Sequence, residues 1–368
     1  MAGQREAAFV AETFDALPGW ADDDHAAAFA AFRRCAFREL EKPYRSGTLG
    51  VPADAFSAVF AEARTAGDFD AEAARTFFEH HFKPFLVRPE VGTGFVTGFY
   101  EPEARASRVR SEEYRFPVYR RSDDLIDLDD ANRPTSFDPS FRFARRSGDL
   151  IEEYFDREAI ESGALAGRGL EIAWLADRVD LFFIHIQGAA RLRMADGETL
   201  RITYAAKSGH PFTGIGRVLA DLGEIPLAQV TMQSIRAWLA ANPTRLDEIL
   251  WQNRSFIFFR EAAVEDETAG PVAAAKVPLT AGRSIAVDRM LHTFATPFFI
   301  VSPALNAFGG DGFRRLMIAQ DTGSAIIGPA RGDLFTGSGL AAGEIAGVIR
   351  SEADFHMLVP NSCVERFQ

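Results

Sequence analysis

Between Ala319 and Gly339 the chain reads A-Q-D-T-G-S-A-I-I-G-P-A-R-G-D-L-F-T-G-S-G, which places Asp321 and Asp333 beside glycines within one short strand-turn-strand segment. Two carboxylates held this close can divide acid and base work between a protonated and an ionised form. Glycine supplies the turns and lets a ligand or a neighbouring strand approach the backbone. The apolar flanks Leu316-Met317-Ile318 and Ala325-Ile326-Ile327 are expected to seat two strands in a core, with the aspartates at strand ends.

Asp321-Thr322-Gly323 also matches half of an aspartic-protease site, in which two such loops share a proton. One copy occurs, and the region around Asp288 lacks the glycine that a second would need, so that reading requires a dimer. There is no H-E-x-x-H, G-x-S-x-G, P-loop, dinucleotide fingerprint or clustered C-x-x-C, which argues against metal, nucleotide and serine-triad chemistry. His185 alternates with Phe183 and Gln187 along an expected buried strand, Asp180 to Gly188, and reads as a hydrogen-bonded, half-buried histidine. Gln187-Gly188 is the more suggestive pair, because an amide followed by glycine at a strand end can bond sugar hydroxyl or acetamido groups.

The elements that must position these groups fall into three stretches. Asp22-Asp23-Asp24 supplies caps for a helix whose apolar stripe runs through Phe29, Phe32, Phe37 and Leu40, a second helix follows Pro52, and a third, capped by Asp70, carries Phe77 and Phe78 as core residues. Glycines around Phe95-Val96-Thr97 lead into a strand ending at Pro102, a domain edge. Then come Arg-, Asp- and Ser-rich surface strands, a hairpin about Asp196-Gly197, and helices at Gly214–Leu222, Met232–Leu239 and up to Trp251. Strand character returns at 255–259, 284–288 and 298–301, and several short strands in one region suggest a β-barrel.

At 368 residues the chain is expected to form two domains, and a net charge of -12 argues against nucleic acid, which needs clustered cations. No run of about 18 uninterrupted apolar residues appears, so a membrane span is not expected. Arg5, Glu6, Glu12 and Asp15 do not have the layout of a secretory signal. Cys35 and Cys363 are as compatible with two free thiols as with one disulfide.

Several motifs in fixed order carry a resemblance. Val96-Thr97-Gly98-Phe99-Tyr100-Glu101-Pro102, Phe183-Ile184-His185-Ile186-Gln187-Gly188, Asn253-Arg254-Ser255-Phe256-Ile257-Phe258-Phe259, Val277-Pro278-Leu279-Thr280-Ala281 and the Asp321 to Asp333 segment together resemble the membrane-bound lytic murein transglycosylase A family over most of the chain. Leu17-Pro18-Gly19-Trp20 fits its N-terminal pattern. The family's hallmark is a domain named for three aspartates, which correspond to Asp288, Asp321 and Asp333. The sequence departs from the pattern at Ala189-Ala190, Ser324 and Ile327, positions that bear on sugar contacts.

The resemblance implies a mainly β protein with N-terminal helices: a double-psi β-barrel domain, barwin- or endoglucanase-like, built from 1–102 plus 252–368, with a second β-rich domain, 103–251, inserted and a glycan groove between them. The implied activity is non-hydrolytic cleavage of the β-1,4 bond between N-acetylmuramic acid and N-acetylglucosamine in peptidoglycan, leaving a 1,6-anhydromuramyl end. One acid suffices, giving a proton to the departing oxygen and then taking one from the muramyl 6-hydroxyl, and no metal or organic cofactor is required. Asp333 maps to that acid. Its pKa is expected to be raised by burial against Leu334 and Phe335 and by nearby carboxylates. Asp321 and Asp288 support it, and Thr97, Phe99, Tyr100, Glu101, Gln187 and Gly188 bind substrate, with Phe99 and Tyr100 stacking on sugar faces.

The implied setting is a Gram-negative periplasm, with attachment to the outer membrane left open because the first cysteine of the sequence is Cys35, inside a helix. The expected partners are glycan strands, a basic patch of Arg105, Arg108 and Arg110 offsetting the acidic chain, with cell-wall synthesis or division proteins as further candidates and a monomer as the expected state. Two rivals share these residues: an expansin-like peptidoglycan-binding protein without catalysis, and an inverting hydrolase using a second carboxylate to activate water.

Overall fold

The computed structural model describes residues 7–49, 51–129, 131–138, 141–263, 266 and 268–368. The chain forms two compact units: Met1–Tyr100 with Asp266–Gln368, and Glu101–Glu265. Arg5 and Glu6 lie outside the described residues.

The first unit mixes helix and sheet. Its helices are α1 (His25–Glu39), α2 (Ser57–Thr65) and α3 (Ala71–His81). Asp24 caps α1 by accepting from Ala27 N at 3.1 Å, and Asp70 caps α3 by accepting from Ala73 N at 2.8 Å. Their apolar faces converge on a phenylalanine cluster, Phe32 against Phe60 with ring centroids 5.3 Å apart and Phe56 against Phe60 at the same separation. The stripe of α1 ends sooner than its sequence suggests. Phe37 and Leu40 are exposed, and Ala28, Phe29, Phe32, Cys35 and Ala36 make the buried face. Of the three capping aspartates, Asp23 is used otherwise: it pairs with the buried Arg283 and accepts from Leu316 N at 2.7 Å.

Nine strands form one sheet: β1 (Ala7–Ala11), β2 (Phe82–Pro89), β3 (Phe95–Glu101), β4 (Ser284–Val287), β5 (Pro297–Ser302), β6 (Phe313–Asp321), β7 (Arg331–Ser338), β8 (Arg350–Glu352) and β9 (Asp354–Pro360). Their order is β1-β2-β9-β5-β6-β4-β7-β3-β8. Among the described residues no pairing joins β1 to β8, so the sheet is not hydrogen-bonded into a closed barrel. Ala325-Ile326-Ile327 is not a strand. The chain from Thr322 to Ala330 is a loop in which Ile326 is buried and Ile327 is 73% exposed, and β7 begins at Arg331.

The second unit has a six-stranded sheet, ordered Ile257–Ala262, Thr199–Lys207, Ala189–Met194, Glu103–Ser107, Glu171–Leu175 and Phe116–Tyr119, and a three-stranded sheet of Leu125–Asp127, Phe143–Ser147 and Leu150–Glu152. The expected hairpin about Asp196-Gly197 is present. The expected strand at 180–188 is a helix, Arg178–Gln187. Asp177 caps it, accepting from Val179 N at 2.7 Å and Asp180 N at 2.9 Å, and Gly188 closes it in the left-handed conformation at φ 76°. Leu181 and Ile184 enter one apolar cluster while Phe182 and Phe183 enter another. A helix buried on two sides shows no one-sided period, so its apolar run resembles a core strand.

Both cysteines are free and buried. Among the described residues no helix is long and apolar enough to cross a membrane.

Candidate active site

The two aspartates of the opening motif are brought together by a third strand. In β4, Ala286 is the register partner of Asp333 on β7 and, across a bulge, of Asp321 on β6. The aspartates therefore flank one residue, two strand spacings apart, or about 10 Å between Cα atoms. The carboxylate across from Asp321 comes from Arg331-Gly332-Asp333 and not from a second Asp-Thr-Gly loop, which the protease-like reading requires.

Asp333 sits on the face of β7 that also carries Arg331 and Phe335, because side chains two apart in a strand share a face. Gly332 lies on the other face, where an added Cβ would come within 2.5 Å of Ile285 Cδ1, so the strand seats closely only with glycine. Phe335 joins Phe99, Leu279, Ala286 and Ile326 in an apolar cluster, with the Phe99 and Phe335 rings 5.2 Å apart. Within this setting Thr97 Oγ1 lies 2.6 Å from Asp333 Oδ1, and Arg331 Nη2 donates to the same Oγ1 at 2.6 Å.

Burial pushes the Asp333 carboxyl up, opposed by the Thr97 hydrogen bond and the Arg331 charge. The apolar neighbours differ from those expected: Leu334 points into the main core opposite Ile285, while Phe335 lies on the carboxylate's face. The influence of a nearby carboxylate falls on Asp321, whose pKa is pushed up to about 6, first by burial and further by Asp333. Hydrogen bonds from the Thr322 and Ala274 backbone, the latter at 3.2 Å, and the charge of Lys276 oppose that rise. The preceding residue fixes the strand end: buried Gln320 accepts from Ser284 Oγ at 2.5 Å and donates to Ala31 O at 2.8 Å.

A carboxyl whose pKa is higher in the fold than in the unfolded chain adds stability that is complete below its unfolded value and is lost as pH rises through its folded value. For Asp321 that window runs from about pH 4 to about pH 6. Asp321→Asn keeps an acceptor for Ala274 N and abolishes the charge. The expected outcome is a gain of about 2 kcal/mol at pH 8, or roughly 4–8 °C in Tm, with no gain at pH 4. Thermal melts at the two pH values check this, and equal shifts at both would show that burial of the charge is not the cause.

Asp288 serves as a brace. Its Oδ1 accepts from Met290 N at 3.0 Å within its own turn and its Oδ2 accepts from Gly328 N at 3.0 Å, tying that turn to the 322–330 loop. Buried His292 adds a second tie, its Nε2 lying 2.8 Å from Pro329 O. Burial lowers the His292 pKa to about 4, so the ring is neutral and donates here at ordinary pH.

The remaining expected binding residues are placed differently from their reading. Phe99 and Tyr100 are buried, Phe99 with its ring against that of Phe335. Tyr100 lies so close to Gly343 that a Cβ there would come within 2.8 Å of the ring. Glu101 is fully buried and pairs with Arg191 and Arg201, each at 2.8 Å, as an internal ion cluster of the second unit. Gln187 and Gly188 end a helix, not a strand. His185 is buried, 3.2 Å from the Arg157 guanidinium and with its ring 4.3 Å from that of Phe256, and burial holds its pKa well below 6.5. In the basic patch, Arg105 pairs with Glu113 and Arg108 with Glu261, which spends two of its three charges. Among the described residues no His, Cys, Asp and Glu cluster could hold a metal ion.

Sequence reasoning missed Arg331. The signal was present in Arg331-Gly332-Asp333, since R-x-D in a strand puts both side chains on one face.

Two family models match: an MltA-specific insert domain over residues 95–260 and a 3D domain over residues 283–359. A membrane-bound lytic murein transglycosylase from Agrobacterium tumefaciens has a crystal structure that is 49% identical in sequence, with TM-score 0.92, covering 98% of this chain and 100% of that one. This chain belongs to the MltA family. Membrane-bound lytic murein transglycosylase A of Escherichia coli K12 is 32% identical over 257 residues, 68% of this chain. The matched region spans 61% of that relative's length. Escherichia coli MltA has also been solved with bound chitohexaose, and that structure resembles this chain with TM-score 0.66 and 25% identity, covering 98% of this chain and 93% of that one. The insert-domain match contains Thr97, and the 3D match contains Asp288, Asp321 and Asp333.

Proposed function

We propose that this chain is a lytic transglycosylase that cleaves the β-1,4 bond between N-acetylmuramic acid and N-acetylglucosamine in peptidoglycan. The observation that carries this is Asp333, a carboxyl raised by burial, held by one hydroxyl and set in an apolar cluster, within a chain of the MltA family. The protonated carboxyl gives its proton to the glycosidic oxygen as the bond to the muramyl anomeric carbon breaks. The muramyl 6-hydroxyl closes on that carbon, and its proton passes to the carboxylate, which returns Asp333 to its starting state. No water is consumed. Asp321 supports the acid electrostatically from across Ala286, and Asp288 holds the loop between them.

The chitohexaose bound by the Escherichia coli relative supports a glycan strand as the ligand. The nine-stranded sheet of the first unit is read as the double-psi β-barrel, and its relatives' description as membrane-bound supports a periplasmic, outer-membrane-associated location.

Mass spectrometry of the muropeptides that the wild-type protein releases from purified peptidoglycan tests this. Anhydromuramyl ends are the expected product. Reducing ends would show an inverting hydrolase instead, and binding without release would show a glycan-binding module.

A further inference from the structure

Arg331 touches the candidate acid only at one remove. Arginine carries donors and no acceptor, so at the 2.6 Å contact its Nη2 donates and Thr97 Oγ1 accepts. The threonine hydroxyl has a single proton, and its other short contact, also 2.6 Å, is Asp333 Oδ1. The guanidinium thus fixes the polarity of the chain: Arg331 donates to Thr97, and Thr97 donates to Asp333. A second bond from Arg331 to the carbonyl of Gly332, and the Phe95 ring 5.7 Å from its guanidinium carbon, hold the head in place.

We propose that Arg331 is a positioning residue of the reaction, which aims the Thr97 hydroxyl at Asp333 and stabilises the carboxylate that forms as the acid gives up its proton. This rests on the reading of Asp333 as the general acid. The two side chains oppose the burial that raises the acid, so their joint effect keeps Asp333 strong enough to protonate a leaving oxygen. The other charged groups around the acid are Asp321 on β6 across Ala286, Lys276 in the loop before β4, Asp288 just past the end of β4, and the exposed Arg350, register partner of Thr97 on β8. Among the described residues only Arg331 reaches Asp333 through a hydroxyl, that of Thr97, whose two short contacts are the guanidinium and the carboxylate.

The test combines the pH profile of anhydromuropeptide release with a 13C-carboxyl aspartate NMR titration of the whole chain, for wild type, Arg331→Met, Arg331→Lys, Thr97→Val and the double variant Thr97→Val/Arg331→Met. Removing a cation makes the carboxylate less favourable, so in Arg331→Met the alkaline limb of the profile and the titration of Asp333 are both expected to move up by about one pH unit, with activity reduced several-fold. Arg331→Lys restores the charge and is expected to move the titration back toward wild type. Because Arg331 acts partly by aiming the Thr97 hydroxyl, the double variant is expected to lose less activity than the product of the two single losses. An unmoved Asp333 titration in both folded Arg331 variants, or a double variant as slow as the product of the singles, overturns the proposal. If the wild type releases no anhydromuropeptide, the assignment of the activity has failed, and the NMR titration still decides whether Arg331 controls Asp333.

Discussion

Asp333→Asn is expected to lower anhydromuropeptide release by a factor of 10³ or more while leaving the fold intact. General acid catalysis contributes about 10² to 10⁴ in rate, and here the same carboxyl both gives a proton to the leaving oxygen and receives one from the 6-hydroxyl. Asparagine keeps the size of the side chain and an oxygen to accept from Thr97 Oγ1, so the hydrogen bond at 2.6 Å can persist while both proton transfers are lost. The charge removed is one that burial disfavours, so the variant is expected to melt no lower than wild type at pH 8. Release rates on purified peptidoglycan and thermal melts on the same preparation check both halves. A residual rate within tenfold of wild type would show that Asp333 is not the acid and would move attention to Asp321, the other raised carboxyl of the face.

Glu101→Ala is expected to cost the second unit about 3–5 kcal/mol, because removing one partner of a buried charge cluster leaves the others uncompensated. Glu101 is fully buried between Arg191 and Arg201, and Arg201 is itself only 4% exposed, so neither guanidinium can turn fully to water. Glu101→Gln, which retains an acceptor but not the charge, is expected to cost less. Urea melts followed by a probe in residues 101–265 measure the loss. A residue that bound glycan would behave differently, raising KM with no change in the melt, so the experiment separates the structural role from the one its motif suggested.

The motif Val96 to Pro102 was legible as a unit, whereas the surroundings of its separate side chains were not. Thr97, Phe99, Tyr100 and Glu101 follow one another in a strand. Thr97 meets the candidate acid, Phe99 packs in the cluster beneath it, Tyr100 seats against Gly343 and Glu101 anchors two arginines. Nothing in the string distinguishes a side chain that faces a ligand from one that faces a partner strand, because both demands select the same residue types. The helix at 178–187 shows the same limit: burial on two sides removes the one-sided period that marks a helix, and the caps at Asp177 and Gly188 were the only local sign left.

By itself the sequence determined the helices of the N-terminal stretch, whose caps and phenylalanine spacing are local signals, the hairpin at Asp196-Gly197, and the segment that holds the candidate chemistry, because glycine-flanked aspartates between apolar runs are read from neighbours in the chain. Only the tertiary structure decided which groups surround each aspartate. Those surroundings depend on Ala286 pairing with both Asp321 and Asp333, on Thr97 arriving from a strand 236 residues away, and on an apolar cluster drawn from several strands and loops beside the carboxyl. A pKa reports the surroundings of a group in space, and those surroundings are assembled by strand register, which no local pattern encodes.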